Sequence, residues 1–214
     1  MLASGKEIYL MKILIFGASG KTGREVVIQA LSLGHEVTAF LHEKTLGKTK
    51  KLNHSYGDVL EAQNVVYAMQ AGFDVVISCL GNNHEKINSC SDGIKNIINA
   101  CYLCGNTRFI AISSLGVAPE FNSFYFNTIV RPLYLNDIHT DLGKMEKIIE
   151  ASKLLWTIVR PPQLVDKNRT GVYRLITKPE EPKLTEISRS DVADFIIKEI
   201  LNPNFIRQKV AIGY

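Results

Sequence analysis

Three glycines recur at three-residue spacing in the stretch GASGKTG, at Gly17, Gly20 and Gly23. Glycine has no Cβ, so its backbone can turn tightly and its N–H groups can come close to a phosphate. Ser19, Lys21 and Thr22 stand between the glycines and add two hydroxyls and an ammonium group. If a helix starts here, its first N–H groups and partial positive charge complete a site for an anion. The chemistry is the binding of a dinucleotide pyrophosphate. Such a site needs a second group about twenty residues on, an acid for a ribose 2′-hydroxyl or a base for a 2′-phosphate. FLHEK, which ends the next apolar run, offers both. His42, Lys44 and Lys48 suit a 2′-phosphate, and Glu43 suits a ribose. Basic groups outnumber the acid, which favours NADP and leaves NAD as the alternative.

Cys79, Cys90, Cys101 and Cys104 do not have the spacing of a metal set. The C-x-x-C of Cys101 and Cys104 falls in an apolar helical pattern with no second pair, and it reads as core packing. No metal is expected.

The glycine loop works only between a buried strand and a helix. KILIFG (12–17) is almost wholly apolar, as a strand buried on both faces must be. Residues 23–35 follow with helical spacing. Strands are then expected at 36–42, 53–59, 73–81, 108–114 and 155–161. Helices are expected at 62–71, 91–105 and 141–153. Residues 115–136 read as irregular and aromatic. The last part holds GVYRLI (171–176), a helix at 188–201 and a strand at 208–213. Alternating strands and helices with short connections predict an α/β fold, a doubly wound parallel sheet of the Rossmann type in a single domain.

The chain has 214 residues and 46% hydrophobic content, enough for one core. Residues 11–214 form that domain, and 1–10 read as a loosely ordered extension, with Met11 as a second candidate start. The net charge is +4, and the densest basic run, KTLGKTKK (44–51), reads as a solvated loop. No nucleic-acid partner is expected. No apolar run approaches the roughly 20 residues of a membrane span, and the first ten residues lack the apolar core of a signal peptide. The expectation is a cytoplasmic monomer or weak dimer.

ILIFGASGKTGREVV resembles the atypical branch of the short-chain dehydrogenase/reductase superfamily, and the resemblance runs over nearly the whole chain from residue 12. It is nearest to the biliverdin-IXβ/flavin reductases and the nitrogen-metabolite-repressor-like proteins. YGDV (56–59) is similar to that branch's adenine-contacting segment, which implies cofactor roles for Asp58 and Val59. VVISCLGNN (75–83) is similar to its fourth strand and implies Leu80, Gly81 and Asn82 along the cofactor. FIAISSLGV (109–117) is similar to the strand carrying the active-site serine, and implies Ser114 with Ser113 before it. LLWTIVRPPQL (154–164) resembles the strand bordering the nicotinamide, and implies Pro161, Pro162 and Gln163 there. Gln163 stands where the reductases carry histidine.

Ordinary members of the superfamily use a Tyr-x-x-x-Lys pair, and none occurs in the helix before residue 155. Counting back from Arg160 and Pro161 puts Asp137 and Asp141 in its place. They read as N-terminal turn residues of their helix. The resemblance implies an NAD(P)H-dependent reductase of a flavin (FMN or FAD), a quinone or a similar conjugated acceptor. The aromatic stretch FNSFYFNTIVRPLY (121–134) would roof the acceptor. A cofactor-binding regulator or assembly factor without turnover fits the missing pair as well. A sugar-nucleotide epimerase fits less, since it needs the tyrosine and a larger substrate domain.

Overall fold

The computed structural model describes residues 9–42, 47, 50–81, 89–105, 108–118, 136–178 and 184–214. Ile13, Leu14, Ile15 and Phe16 in strand β1 (Lys12–Phe16) are all fully buried. A strand with no exposed face belongs in the middle of a sheet covered on both sides. β1 pairs in parallel with β2 (Glu36–Leu41) on one side and β4 (Val75–Ser78) on the other. β3 (Leu52–Tyr56) extends the sheet beyond β2, and β5 (Arg108–Ile112) and β6 (Leu155–Arg160) extend it beyond β4. β10 (Gln208–Gly213) follows β6 in parallel, and β8 (Arg174–Ile176) closes the edge antiparallel to β10. The strand order is β3-β2-β1-β4-β5-β6-β10-β8. The expected doubly wound α/β sheet of the Rossmann type is present.

Alternate side chains of β1 go to opposite faces, as the two-residue period of a strand demands. Ile13 and Ile15 join the core beneath α1 (Lys21–Ser32) and α5 (Arg189–Leu201), whereas Leu14 and Phe16 join the core beneath α2 (Ala62–Met69), α3 (Ser89–Cys104) and α4 (Asn136–Glu150). α5 starts on a serine N-cap: Ser188 Oγ accepts from the Asp191 N–H, while the Ser188 N–H donates to the Tyr214 hydroxyl. Asp191, fully buried, also accepts from Thr170, Gly171 and the Tyr214 hydroxyl.

Three expectations need correction. The helix expected at 141–153 starts five residues earlier, because Asp137 favours a first turn and Gly143 does not break the helix. A small parallel sheet of β7 (Gln163–Val165) and β9 (Glu186–Ser188) lies apart from the main one. Three-residue strands are too short to show a period. The edge strand β8 runs against its neighbour, so the sheet is mixed at one end.

The main strands also stop short of the expected ends. Gly17, His42, Gly57 to Val59, Cys79 to Gly81, Ser113, Ser114 and Pro161 all lie just past their ladders. They form the C-terminal edge of the sheet, where its strand order reverses between β1 and β4. That edge is where open α/β sheets bind ligands.

Candidate functional site

Gly17 has φ of +71°, and a Cβ there would sit 2.5 Å from the carbonyl oxygen of Cys79 at the end of β4. Only glycine turns the chain there without strain. The Gly20 N–H donates to the Gly17 carbonyl (3.1 Å), and Gly20 caps α1 with no side chain over the helix end. A Cβ on Gly23 would strike the Gly17 carbonyl, so this glycine is what lets α1 pack on the strand. Tight turn, open helix end and close packing are thus divided among the three glycines. The result is a cradle that fits a pyrophosphate.

A cavity of about 190 Å³ opens beside that cradle. Gly17 and Ser19 line its phosphate side, and Leu80 and Gly81 its β4 side. Asp58, Val59 and His42 line the far side. Seven expected cofactor residues, from four strand ends, therefore meet in one place. Phe40, Gly57, Leu60 and Ser89 line it too and were not expected. Gly57 stood in the quoted YGDV, and Phe40 lies two residues before His42. That spacing returns to the same face of β2, so both left a signal. Ser89 opens α3 and left none.

The far side of the cavity is fixed by amide side chains. Asn64 Oδ1 accepts from the Asp58 N–H (3.2 Å), and Asn96 Nδ2 donates to the carbonyls of Val59 and Leu60 (3.0 Å each). Asp58 Oδ1 accepts from the Leu60 N–H, and His42 Nε2 lies 3.9 Å from Asp58 Oδ2.

Lys21 does not line the cavity. Its ammonium donates to Asp166 just past β7 (2.9 Å), and Asp166 also pairs with Arg189. These two cations hold the Asp166 carboxyl below the usual range, Lys21 contributing most. The pairing ties the helix after the glycine loop to the small sheet. Thr22 and Gly23 belong to the first turn of α1 rather than to the cavity wall.

Ser113, Ser114, Pro161 and Pro162 gather at a second place, the ends of β5 and β6. The Ser113 N–H donates to the Val159 carbonyl and the Leu115 N–H to the Pro161 carbonyl, both at 2.8 Å. Ser114 Oγ accepts from the Gly116 N–H in a single turn of 3-10 helix (3.2 Å). Ser113 is nearly buried and donates to Glu146 Oε1 (2.6 Å). Arg160 holds the same carboxylate through two nitrogens, Nε at 3.0 Å and Nη2 at 2.6 Å. Neither Glu146 nor Arg160 was expected here. Gln163 is exposed and opens β7. Asn82, Glu43, Lys44, Lys48 and the aromatic stretch 121–134 lie outside the described residues.

Asp137 is in the first turn of α4, as expected. Asp141 is not a first-turn residue of its own helix. It is buried and accepts from the N–H groups of Cys90 (2.9 Å) and Ser91 (3.1 Å), so it caps α3. Burial, with Asp141 adding to it, pushes the Cys90 thiol up to about 12, and burial does the same to Cys101. Neither is a ready nucleophile. Among the described residues no His, Cys, Asp or Glu cluster could hold a metal ion, and no helix is long and apolar enough to cross a membrane.

A strand–glycine–helix cradle beside a cavity at the sheet's reversal point defines a dinucleotide-binding protein. Residues 17–203 match the family model described as NAD(P)H-binding, and the chain belongs to that family. A curated relative from Bacillus subtilis, named an uncharacterized sugar epimerase, is 28% identical over 209 residues, which cover 91% of this chain and 90% of that one. The anaerobilin reductase ChuY of Escherichia coli O157:H7 shares the fold at a TM-score of 0.78 and 22% identity, over 94% of this chain and 96% of its own. A short-chain dehydrogenase/reductase of Veillonella parvula, solved in complex with NADP, shares it at a TM-score of 0.83 and 18% identity, over 96% and 95%.

Proposed function

We propose that the chain is an NAD(P)H-dependent reductase acting on a flat, conjugated small molecule: a flavin, a quinone or a linear tetrapyrrole. The observation that carries this is the division of the sheet's edge. One half is a cavity suited to a dinucleotide. The other, on the adjoining strands β5 and β6, offers serine hydroxyls and a proline wall but no Tyr-x-x-x-Lys pair. When bound, the cofactor supplies hydride. Conjugated rings accept hydride without a strong acid, so the chain has mainly to hold two rings in contact. Pro161 and Pro162 bound the reaction end on the β6 side, and Ser114 gives it a hydroxyl. The anaerobilin reductase of the same fold supports an acceptor of the tetrapyrrole kind.

NADP(H) is the cofactor in this reading. His42 directly follows β2 and lines the cavity, on the side where this reading puts the 2′-phosphate. The NADP-bound Veillonella structure supports the same choice.

The test is oxidation of NADPH with FMN, FAD, a quinone or biliverdin as acceptor. Turnover with one of them is the expected result. Turnover with none overturns the reading and leaves a cofactor-binding regulator, which fits the missing pair equally well. The epimerase name of the Bacillus relative lends little support to epimerisation here, because that chemistry lacks its tyrosine.

A further inference from the structure

Ser113 and Ser114 are neighbours of the same chemical type, yet their surroundings give them opposite hydrogen-bonding polarity. Glu146 is buried and grips Arg160 through both oxygens. A carboxylate in such a pair offers lone pairs and no proton. The 2.6 Å contact between Ser113 Oγ and Glu146 Oε1 therefore runs from the hydroxyl to the acid. A serine has one hydroxyl proton, and that of Ser113 is committed. Ser114 is placed the other way. Its oxygen accepts from the Gly116 N–H, a group that can only donate, so the Ser114 proton is not used there. It has no acceptor among the described residues.

The same pair also fixes where the two serines stand. Arg160 is the last residue of β6 and precedes Pro161, whose carbonyl accepts from Leu115. The guanidinium fork sets direction as well as distance, since two parallel bonds leave little freedom to rotate.

We propose that Glu146, held by Arg160, is a positioning residue of the reaction end: it takes up the Ser113 proton and fixes the β5 terminus, so that Ser114 alone donates a hydrogen bond to the acceptor. The proposal rests on the reductase reading. No proton leaves Ser114 for good. The two-electron reduction uses a hydride from the reduced dinucleotide and one proton from solvent, and Ser114 polarises the acceptor atom that gains negative charge.

The test compares Ser113→Ala, Ser114→Ala and Arg160→Lys in the full chain. It reads kcat and KM with the best acceptor, NADPH affinity by fluorescence, and melting temperature. Ser114→Ala is expected to lower kcat about ten- to hundredfold, below or at the low edge of proton-transfer contributions, with NADPH affinity unchanged. Ser113→Ala loses only a held neighbour and is expected to lower kcat about threefold. Arg160→Lys keeps the charge but not the fork, and should lower kcat about tenfold at a temperature where it is fully folded. A merely structural pair would lower the melting temperature and leave kcat alone, and that result overturns the proposal. So does a Ser113→Ala loss equal to or larger than that of Ser114→Ala, which needs no strained variant to fold. Wild-type protein that turns over no acceptor overturns the reductase reading, and this proposal with it. Wild-type turnover with the serine order reversed overturns this proposal alone.

Discussion

The two halves of the sheet's edge are built from different materials. At the ends of β1 to β4 the cavity is shaped by backbone: a glycine at positive φ, an uncapped helix start, and loops held by Asn64 and Asn96. At the ends of β5 and β6 the chain is shaped by buried side chains, with Glu146 bonded to Ser113 and Arg160, and Asp141 capping a helix other than its own. A site shaped by backbone is injured chiefly where a Cβ is added to one of its glycines or where an amide that holds its loops is removed. A site hung on a buried ion pair is exposed to the loss of either partner. The difference predicts where mutations injure binding and where they injure the fold.

The largest effect is expected from Glu146→Ala, which leaves Arg160 charged and buried without its partner. Breaking such a pair costs about 3–5 kcal/mol. At roughly 2–4 °C per kcal/mol for a chain of this size, the melting temperature should fall by about 6–20 °C. NADPH should still bind what remains folded. A variant as stable as wild type would remove the contrast between the halves.

Gly17→Ala comes next, with the opposite signature. A left-handed backbone costs a non-glycine residue roughly 1–2 kcal/mol, before the contact with Cys79 is counted. Gly20→Val keeps an ordinary φ of −68°, and its Cβ would lie 3.2 Å from the Gly17 carbonyl oxygen, at the open start of α1. NADPH should raise the melting temperature of wild type and of neither variant. Equal thermal shifts in Gly20→Val and wild type would show that the pyrophosphate does not lie on this loop.

Asp141→Ala removes the cap of α3 and should cost about 0.5–2 kcal/mol. Activity measured below the new transition is expected to persist. Should kcat collapse while NADPH still binds, the carboxylate takes part in the reaction and orientation alone does not explain turnover.

Cofactor choice is a smaller effect, set by exposed charge. If His42, Lys44 and Lys48 meet a 2′-phosphate, NADPH should bind more tightly than NADH, and the advantage should shrink as salt rises. Titrations of both at low and high ionic strength read this directly. Tighter NADH binding at low salt would give the ribose to Glu43.

The smallest expected effect lies away from both halves. His35 is buried beside the start of β2 and accepts the Met11 N–H on Nδ1 (3.2 Å). Burial, with Lys51 adding to it, holds its pKa below the ordinary 6.5. The unfolded chain therefore takes up a proton first. Stability is full above pH 6.5 and declines as pH falls from there towards the folded value. His35→Gln should flatten the melting curve between pH 7 and 5 without changing NADPH affinity. A wild-type melting temperature that does not fall over that range would show that His35 is not the source.

The nucleotide half was legible because its information is local. Gly17, Gly20 and Gly23 act within seven consecutive residues, and the apolar run before them can only be a buried strand. Alternating apolar runs also set the order of elements and the α/β class. The short strands β7 and β9 were not legible, being too brief for a period. Ser113 was legible as a position but not as a role, because nothing near it in sequence tells that its proton goes to Glu146, 33 residues on. Lys21 looked like a phosphate ligand, and its partner Asp166 lies 145 residues away. The sequence by itself therefore determined the parallel sheet, the cofactor class and the glycine turn before α1, all of which follow from backbone freedom and hydrophobic period. Only the tertiary structure decided which way each polar side chain faces at the ends of β5 and β6. A buried charge must find its partner wherever the fold brings one, and a hydroxyl gives its single proton to whichever acceptor arrives.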